Sequence, residues 1–337
     1  MATIKDVAKE AGVSVATVSR VLNGTDRVRS ETVTAVQNAI EKLNYHPNFL
    51  GRTLRRLETM KILVVLPTIS NQFYSRVIRG IQSVAMQQGY HVMLVTTEND
   101  PEAETEYIEM VRRRLLDGII FLFSSLDCVQ IANLAAECPV VVASETIPGL
   151  TGVSSVTINN RAAAYDAVQF LIENGNRRIA YLSAGRLYGS SFERYEGTAD
   201  ALREAGLTID KRFLLDEGLT YKAGRRAAKR LLEMNDLPDA VFSASDAAAI
   251  GLMHTLMEEG ILAGRDISVM GFDNNSIAEY YNPALTTVAQ PQLEIGQKAM
   301  ELLLKNIRNP DSPIEQLLLP HQLVIRESVR LTGKTGR

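Results

Sequence analysis

Apolar residues in the first 46 positions recur at spacings of three and four, without alternating β-branched residues, which predicts three short helices and no strand. In TIKDVAKEAGVSVATVSRVLNG, Thr3 is placed to N-cap a helix over Ile4 to Ala11, Gly12 supplies a tight turn, and Ser14 N-caps a second helix reaching Leu22. At about 100° per residue, Ser14, Val15, Val18, Val21 and Leu22 share an apolar arc, while Ala16, Arg20 and Asn23 lie on the opposite face. Such a pair of helices is a helix-turn-helix, whose second helix can enter the DNA major groove.

The pattern changes after Ile62. Strand-like runs (ILVVLP, YHVMLVTT, DGIIFLF, PVVVAS, SVTIN) alternate with helical stretches at 73–88, 101–116 and 160–174. The alternation continues through RIAYLS, AVFSAS, ISVMGF and TTVAQP, with helices at 192–205, 221–234 and 246–259. Continuous apolar strands between helices indicate parallel sheets covered on both faces. The strand count is about twice that of one open sheet, which predicts two doubly wound lobes.

Composition narrows the class. Of 337 residues, 46% are hydrophobic and 22% charged, as in ordinary globular chains, so disordered and fibrous classes are excluded. No apolar run approaches the roughly 20 residues that span a bilayer, and MATIKDVAKEAG has no signal-peptide core, from which a cytoplasmic location and no membrane partner are expected. Cys128 and Cys138 match no metal or redox spacing, so no metal site and no cofactor is expected. The net charge of -3 hides an asymmetry: residues 1–60 carry nine Lys and Arg against six Asp and Glu. So small an excess binds phosphates weakly from one copy, and a dimer is needed to sum it.

The stretch IKDVAKEAGVSVATVSRVLN, followed by LNYHPNFLGRTL, DGIIFLF, SASDAAAIG and ISVMGFDN, closely resembles the lactose/galactose repressor (LacI/GalR) family of bacterial transcription factors over almost the whole chain. The resemblance implies an α/β architecture: a helix-turn-helix head plus hinge helix, then a two-lobed periplasmic-binding-protein-like effector domain. It divides the chain into a DNA-binding domain at 1–46, a hinge at 47–60 and an effector and dimerisation domain at 61–337. Within the last, an N-lobe takes about 61–160 and 291–322, and a C-lobe about 161–289 and 323–330.

The resemblance also implies residue roles. Val15 and Ala16 fall on the base-reading pair and offer only apolar contact, so hydrogen-bonded readout rests mainly on Arg20. Ser14, Thr17 and Asn23 would position phosphates, and Thr3, Arg29, Tyr45 and Asn48 complete the DNA-contacting set. Leu54 aligns with a leucine wedged into the minor groove at the centre of a pseudo-palindromic operator. Two departures stand out: the family usually has Ser at Arg29 and Arg at Val33, which leaves Ser30 to cap the third helix. Gly51, where the family has alanine, costs the hinge helix about 1 kcal/mol of propensity.

Ligands of open α/β sheets bind beyond the carboxyl ends of the strands. There TISNQFY offers the amides of Asn71 and Gln72 and the rings of Phe73 and Tyr74; Tyr74 reads equally as a core ring or a stacking platform. From the resemblance, Ser144, Arg194, Ser245, Asp273 and Gln290 join this effector set. Arg194 supplies a planar fork for hydroxyls or carboxylates, and Asp273 either accepts from vicinal hydroxyls or caps a helix. Ser245 stands where the family often has Asn, and Asn159 where it often has Asp. The effector expected is a sugar, with a nucleoside or purine as the alternative because of the aromatic pair. The family precedent favours release of DNA on binding.

Three rivals are weighed. An enzyme would need a nucleophile or metal motif, and none of GxSxG, a P-loop or HExxH occurs, so no catalytic residue is assigned. A secreted solute-binding protein would carry no helix-turn-helix. A protein partner in place of the metabolite leaves the DNA role intact. The tail RESVRLTGKTGR has no leucine heptad, so a homodimer is expected.

Overall fold

Two compact units, Met1–Glu58 and Thr59–Arg337, make up the computed structural model, which describes residues 2–22, 28–45, 58–98, 100–185, 189–234 and 236–332. Of the expected DNA contacts, Asn23, Asn48 and Leu54 lie outside the described residues, as does most of the hinge segment.

In the first unit, α1 (Ile4–Glu10) opens with a capping box. Asp6 N donates to Thr3 Oγ1 (3.4 Å) and Thr3 N to Asp6 Oδ2 (2.8 Å), so two amide donors at the helix start are satisfied reciprocally. Ser14 caps the start of α2 (Val15–Leu22) singly, its hydroxyl accepting from Thr17 N at 3.1 Å. Val7, Ala8, Val18, Val36, Ala39 and Tyr45 form the buried centre on which α1, α2 and α3 (Ser30–Lys42) meet.

Two expectations change here. Val15, assigned to the apolar arc, is 39% exposed: it is the first residue of α2 and lies at the end of the helix, while Val18 a turn later is fully buried. Arg29, not Ser30, is the N-cap of α3, and no side chain bonds the free amides there. Tyr45, expected among the DNA contacts, is only 9% exposed, with its ring in the centre of the unit.

The second unit holds two six-stranded sheets. The first contains β1 (Lys61–Leu66), β2 (His91–Thr96), β3 (Gly118–Phe121), β4 (Val140–Ala143), β5 (Ser154–Ile158) and, returning late, β11 (Gln316–Leu319), all parallel in the order β11-β5-β4-β3-β1-β2. Ile62 to Leu66 are wholly buried because helices cover both faces, as continuous apolar runs in parallel sheets require. The second sheet orders β12-β10-β9-β8-β6-β7. It comprises β6 (Ile179–Ser183), β7 (Leu214–Asp216), β8 (Ala240–Ser243), β9 (Ser268–Asp273), β10 (Thr286–Ala289) and β12 (Gln322–Val324), with only β12 antiparallel. The chain passes between the sheets after β5, after β10 and after β11.

Around the first sheet lie α4 (Gln72–Gln87), α5 (Pro101–Arg112), α6 (Cys128–Glu137) and α12 (Gln292–Arg308). The second carries α7 (Asn160–Glu173), α8 (Gly189–Glu204), α9 (Tyr221–Glu233), α10 (Asp246–Glu258) and the short α11 (Ser276–Tyr280). The strand periodicity left α6, α11, α12, β7, β11 and β12 unread, placed the end of α5 at Leu116 and began α8 at 192. Helix α12 packs on α4 through two glycines. A Cβ on Gly80 would lie 2.1 Å from the Leu293 carbonyl oxygen, and one on Gly296 would lie 2.0 Å from that of Val77. Only hydrogen fits at either crossing point.

Candidate functional site

The carboxyl ends of both sheets face each other, and the side chains there form one buried polar cluster. Arg194, on the second turn of α8, is 6% exposed. Its Nε donates to Asn160 Oδ1 (2.9 Å) and its Nη1 to the Ala244 carbonyl (2.8 Å), while the guanidinium lies over the Phe272 ring. Asp273 follows Phe272 at the end of β9, 5% exposed, with φ at 115°. Gln290 donates to its Oδ1 (2.8 Å) and Gln292 to its carbonyl oxygen (2.6 Å). Burial raises the Asp273 carboxyl to about 7; the Arg194 charge and the bond from Gln290 pull the other way.

Asp246 stands behind Asp273. It accepts from Asn275 N (2.7 Å) and Thr287 Oγ1 (2.6 Å), fixing the turn of Asp273 and Asn274, both at positive φ. Burial first, then the Asp273 charge, holds its carboxyl well above the usual carboxylate range. From the C-terminal segment, Arg326 donates to Asn274 Oδ1 (2.9 Å) and clamps the same turn.

The lobes are joined on both flanks of this cluster. Arg76 of α4 donates to Ser276 Oγ at 3.0 Å. On the other flank, Glu145 just beyond β4 accepts from Ser190 N (2.7 Å) and Ser190 Oγ (2.9 Å) at the start of α8. Burial pushes the Glu145 carboxyl up, and the Ser190 bonds oppose it. A pocket of about 220 Å³ remains between the lobes, lined by Asn71 and Gln72 on one side and Tyr221, Ile250, Asn275 and Ile277 on the other.

Of the effector residues expected, Arg194, Asp273 and Gln290 meet in the cluster, and Asn71 and Gln72 line the pocket. Asn71 also caps α4, accepting from Phe73 N at 3.0 Å. Phe73 is 7% exposed and belongs to the core of the first lobe, edge-on to Tyr74, so it offers no free stacking face; Tyr74 is half-buried against the same core. Ser144, at a φ of 66°, donates to the Leu122 carbonyl (3.2 Å). Ser245 caps α10 and donates to the Leu219 carbonyl (2.7 Å), so its hydroxyl is held by the backbone. Asp273 is not a helix cap, since Asn275 precedes α11. Asn159 caps α7 through Ala162 N (2.9 Å). Asn160, Glu145, Ser190, Tyr221, Asp246 and Gln292 escaped the sequence reading. Each follows a strand or opens a helix, which is the signal that marks them.

In the first unit, Ser14, Val15, Ala16 and Arg20 are exposed along α2, and Val18 is buried beneath them. Ser14 and Thr17 hydroxyls bond each other at 2.9 Å.

Residues 3–48 match the family described as bacterial regulatory proteins, lacI family, and residues 168–329 match the periplasmic binding protein-like domain. The HTH-type transcriptional repressor CytR of Escherichia coli (strain K12) is 36% identical over 330 residues, covering 98% of this chain and 96% of its own. The chain belongs to the lacI family. Among solved structures, a Lac repressor dimer bound to operator and the anti-inducer ONPF aligns with a TM-score of 0.85 at 26% identity, over 98% of this chain and 99% of that one. A complex of the transcriptional regulator CelR with cellobiose aligns with a TM-score of 0.73 at 29% identity, over 97% and 100% of the two chains. As a lacI-family member, this chain is a sequence-specific DNA-binding transcriptional regulator under effector control. Among the described residues, no helix is long and apolar enough to cross a membrane.

Proposed function

We propose that this chain represses transcription by binding a pseudo-palindromic operator as a homodimer, and that an uncharged sugar closing between its lobes releases the DNA. The observation that carries this is the buried cluster of Arg194, Asp273 and Gln290 at the strand ends: a charged fork and a carboxylate side by side match a ring of vicinal hydroxyls. The solved relative bound to cellobiose supports the sugar class. The nucleoside alternative is weakened by the burial of Phe73.

In this reading residues 1–46 are the DNA-reading head, 47–60 the hinge and 61–337 the effector and dimerisation domain. Arg20 reads base edges, with Val15 and Ala16 in apolar contact and Ser14 and Thr17 toward phosphates. Leu54 is the minor-groove wedge. Edge strand β2 leaves Met93 and Leu94 exposed beside its unpaired rim, a surface suited to cover by a second copy. The protein works by binding alone, without a catalytic step, in the cytoplasm beside the DNA it reads.

Selection of duplexes from a random pool by the purified chain, followed by gel shifts with a sugar panel, tests this. Enrichment of a palindrome and its release by one sugar is the expected result. No enrichment at moderate salt rules out the operator role, and sugar-insensitive binding rules out the effector assignment.

A further inference from the structure

We infer that Glu145 sets the charge class of the effector, excluding phosphorylated and carboxylated ligands in favour of uncharged polyols. This rests on the lobe interface being the effector site. Two places there would hold an anion in another protein, and the chain's own groups already engage both.

The first is the start of α8, a helix of 16 residues whose leading end is the positive end of the helix dipole. Glu145 crosses from the other lobe and occupies it. Its Oε1 accepts from Ser190 N (2.7 Å) and from Thr146 N (3.0 Å), and its Oε2 from Ser190 Oγ (2.9 Å). Three donors to two oxygens leave the carboxylate accepting at both ends, and these bonds favour its ionised form against the burial that opposes it. Behind it the fit is close: a Cβ on Gly189 would lie 1.8 Å from the Thr146 carbonyl oxygen, so the backbone of the first lobe rests directly on the helix start. Thr146 Oγ1 also donates to Glu193 Oε2 (3.1 Å), bringing a second carboxylate to the same edge.

The second place is Arg194, one turn further along α8. Two of its nitrogens, Nε and Nη1, bond Asn160 and Ala244, and its charge acts on both Asp273 and Glu145. An incoming phosphate meets Glu145 where it needs donors, and like charges at contact repel strongly in a site withdrawn from water. A sugar hydroxyl, by contrast, donates to these carboxylates without displacing them. Glu145 thus acts as a resident anion, and the ligand it leaves room for is neutral.

Full-length wild type, Glu145→Gln and Glu145→Ser are compared by calorimetry against ribose and cellobiose, ribose 5-phosphate and glucose 6-phosphate, and inorganic phosphate. Glu145→Gln preserves size and most bonds and reports even if the serine variant folds poorly. The expected result is that wild type binds each sugar phosphate more weakly than its parent sugar or not at all. Both variants should gain about tenfold or more for the anionic probes, equivalent to roughly 1.4 kcal/mol. Adding Ser190→Ala to Glu145→Ser should reduce that gain. Wild type binding sugar phosphates as tightly as the variants overturns the inference, as does a folded Glu145→Gln that gains nothing. If wild type binds no neutral sugar while the variants acquire phosphate affinity, the sugar reading fails and the role of Glu145 stands.

Discussion

The Arg194 guanidinium carbon sits 3.7 Å from the centroid of the Phe272 ring, and the next residue along β9 is Asp273. Helix α8 and strand β9 thereby bring a cation and a carboxylate to one point of the cleft, with the buried Phe272 ring beneath the guanidinium. A cation desolvated over a ring gains from the ring quadrupole, which fixes the guanidinium plane as well as its position.

Replacing Arg194 by lysine keeps the charge and loses the fork. One ammonium cannot reproduce the planar reach to both Asn160 Oδ1 and the Ala244 carbonyl, so a buried acceptor is left unpaired. Effector affinity should fall by about thirtyfold, the equivalent of roughly 2 kcal/mol for a charged hydrogen bond. Calorimetry with the responding sugar measures it, and equal affinity in the lysine variant removes the fork from ligand binding.

Stability should depend on pH through the two buried aspartates. The Asp273 carboxyl titrates at about 7 in the folded chain against an ordinary 3.8, so between these values the folded state holds more protons than the unfolded one. The contribution is complete below about 4, declines as pH rises and is lost above 7. Asp246 is raised in the same direction. Urea midpoints should therefore fall from pH 5 to pH 8, and Asp273→Asn should flatten the slope while Asp246 retains part of it. A midpoint that rises over this window contradicts the assignment.

Gly296→Ala should destabilise the second unit. The added methyl meets the Val77 carbonyl oxygen at 2.0 Å, where backbone rather than a flexible side chain must yield. Overpacking of this kind costs about 1–3 kcal/mol, and calorimetric melting should show a drop of several degrees. Gly80→Ala, at the same crossing, should not add its full effect in the double variant, because neighbouring sites couple.

On the DNA side, Arg20→Ala and Val18→Ala should separate reading from folding. Arg20 is exposed on α2, and its loss should cost about 1–3 kcal/mol of operator preference while random-duplex binding changes less. Val18 is fully buried, so its truncation should lower the melting of the first unit by helical circular dichroism. Equal operator preference in wild type and Arg20→Ala takes base reading away from this residue.

The sequence by itself determined what depends on neighbours along the chain. Thr3 and Ser14 announce helix starts because a capping hydroxyl acts on amides two or three residues ahead. The runs around Ile62, Ile119 and Val141 announce strands because parallel sheets bury both faces, and the repeated alternation of strand and helix announces two lobes. Edge strands β7, β11 and β12 escaped because short or half-exposed strands carry too little apolar signal.

Only the tertiary structure decided which polar groups share a site and in what state. Glu145 and Ser190 are 45 residues apart and Asp246 and Thr287 are 41, so nothing local pairs them. The raised titration of Asp273 comes from desolvation, which depends on everything packed around the group. The burial of Phe73 likewise depends on how α4 lies against its sheet, and no pattern of residues along one helix could distinguish that ring from one free to stack.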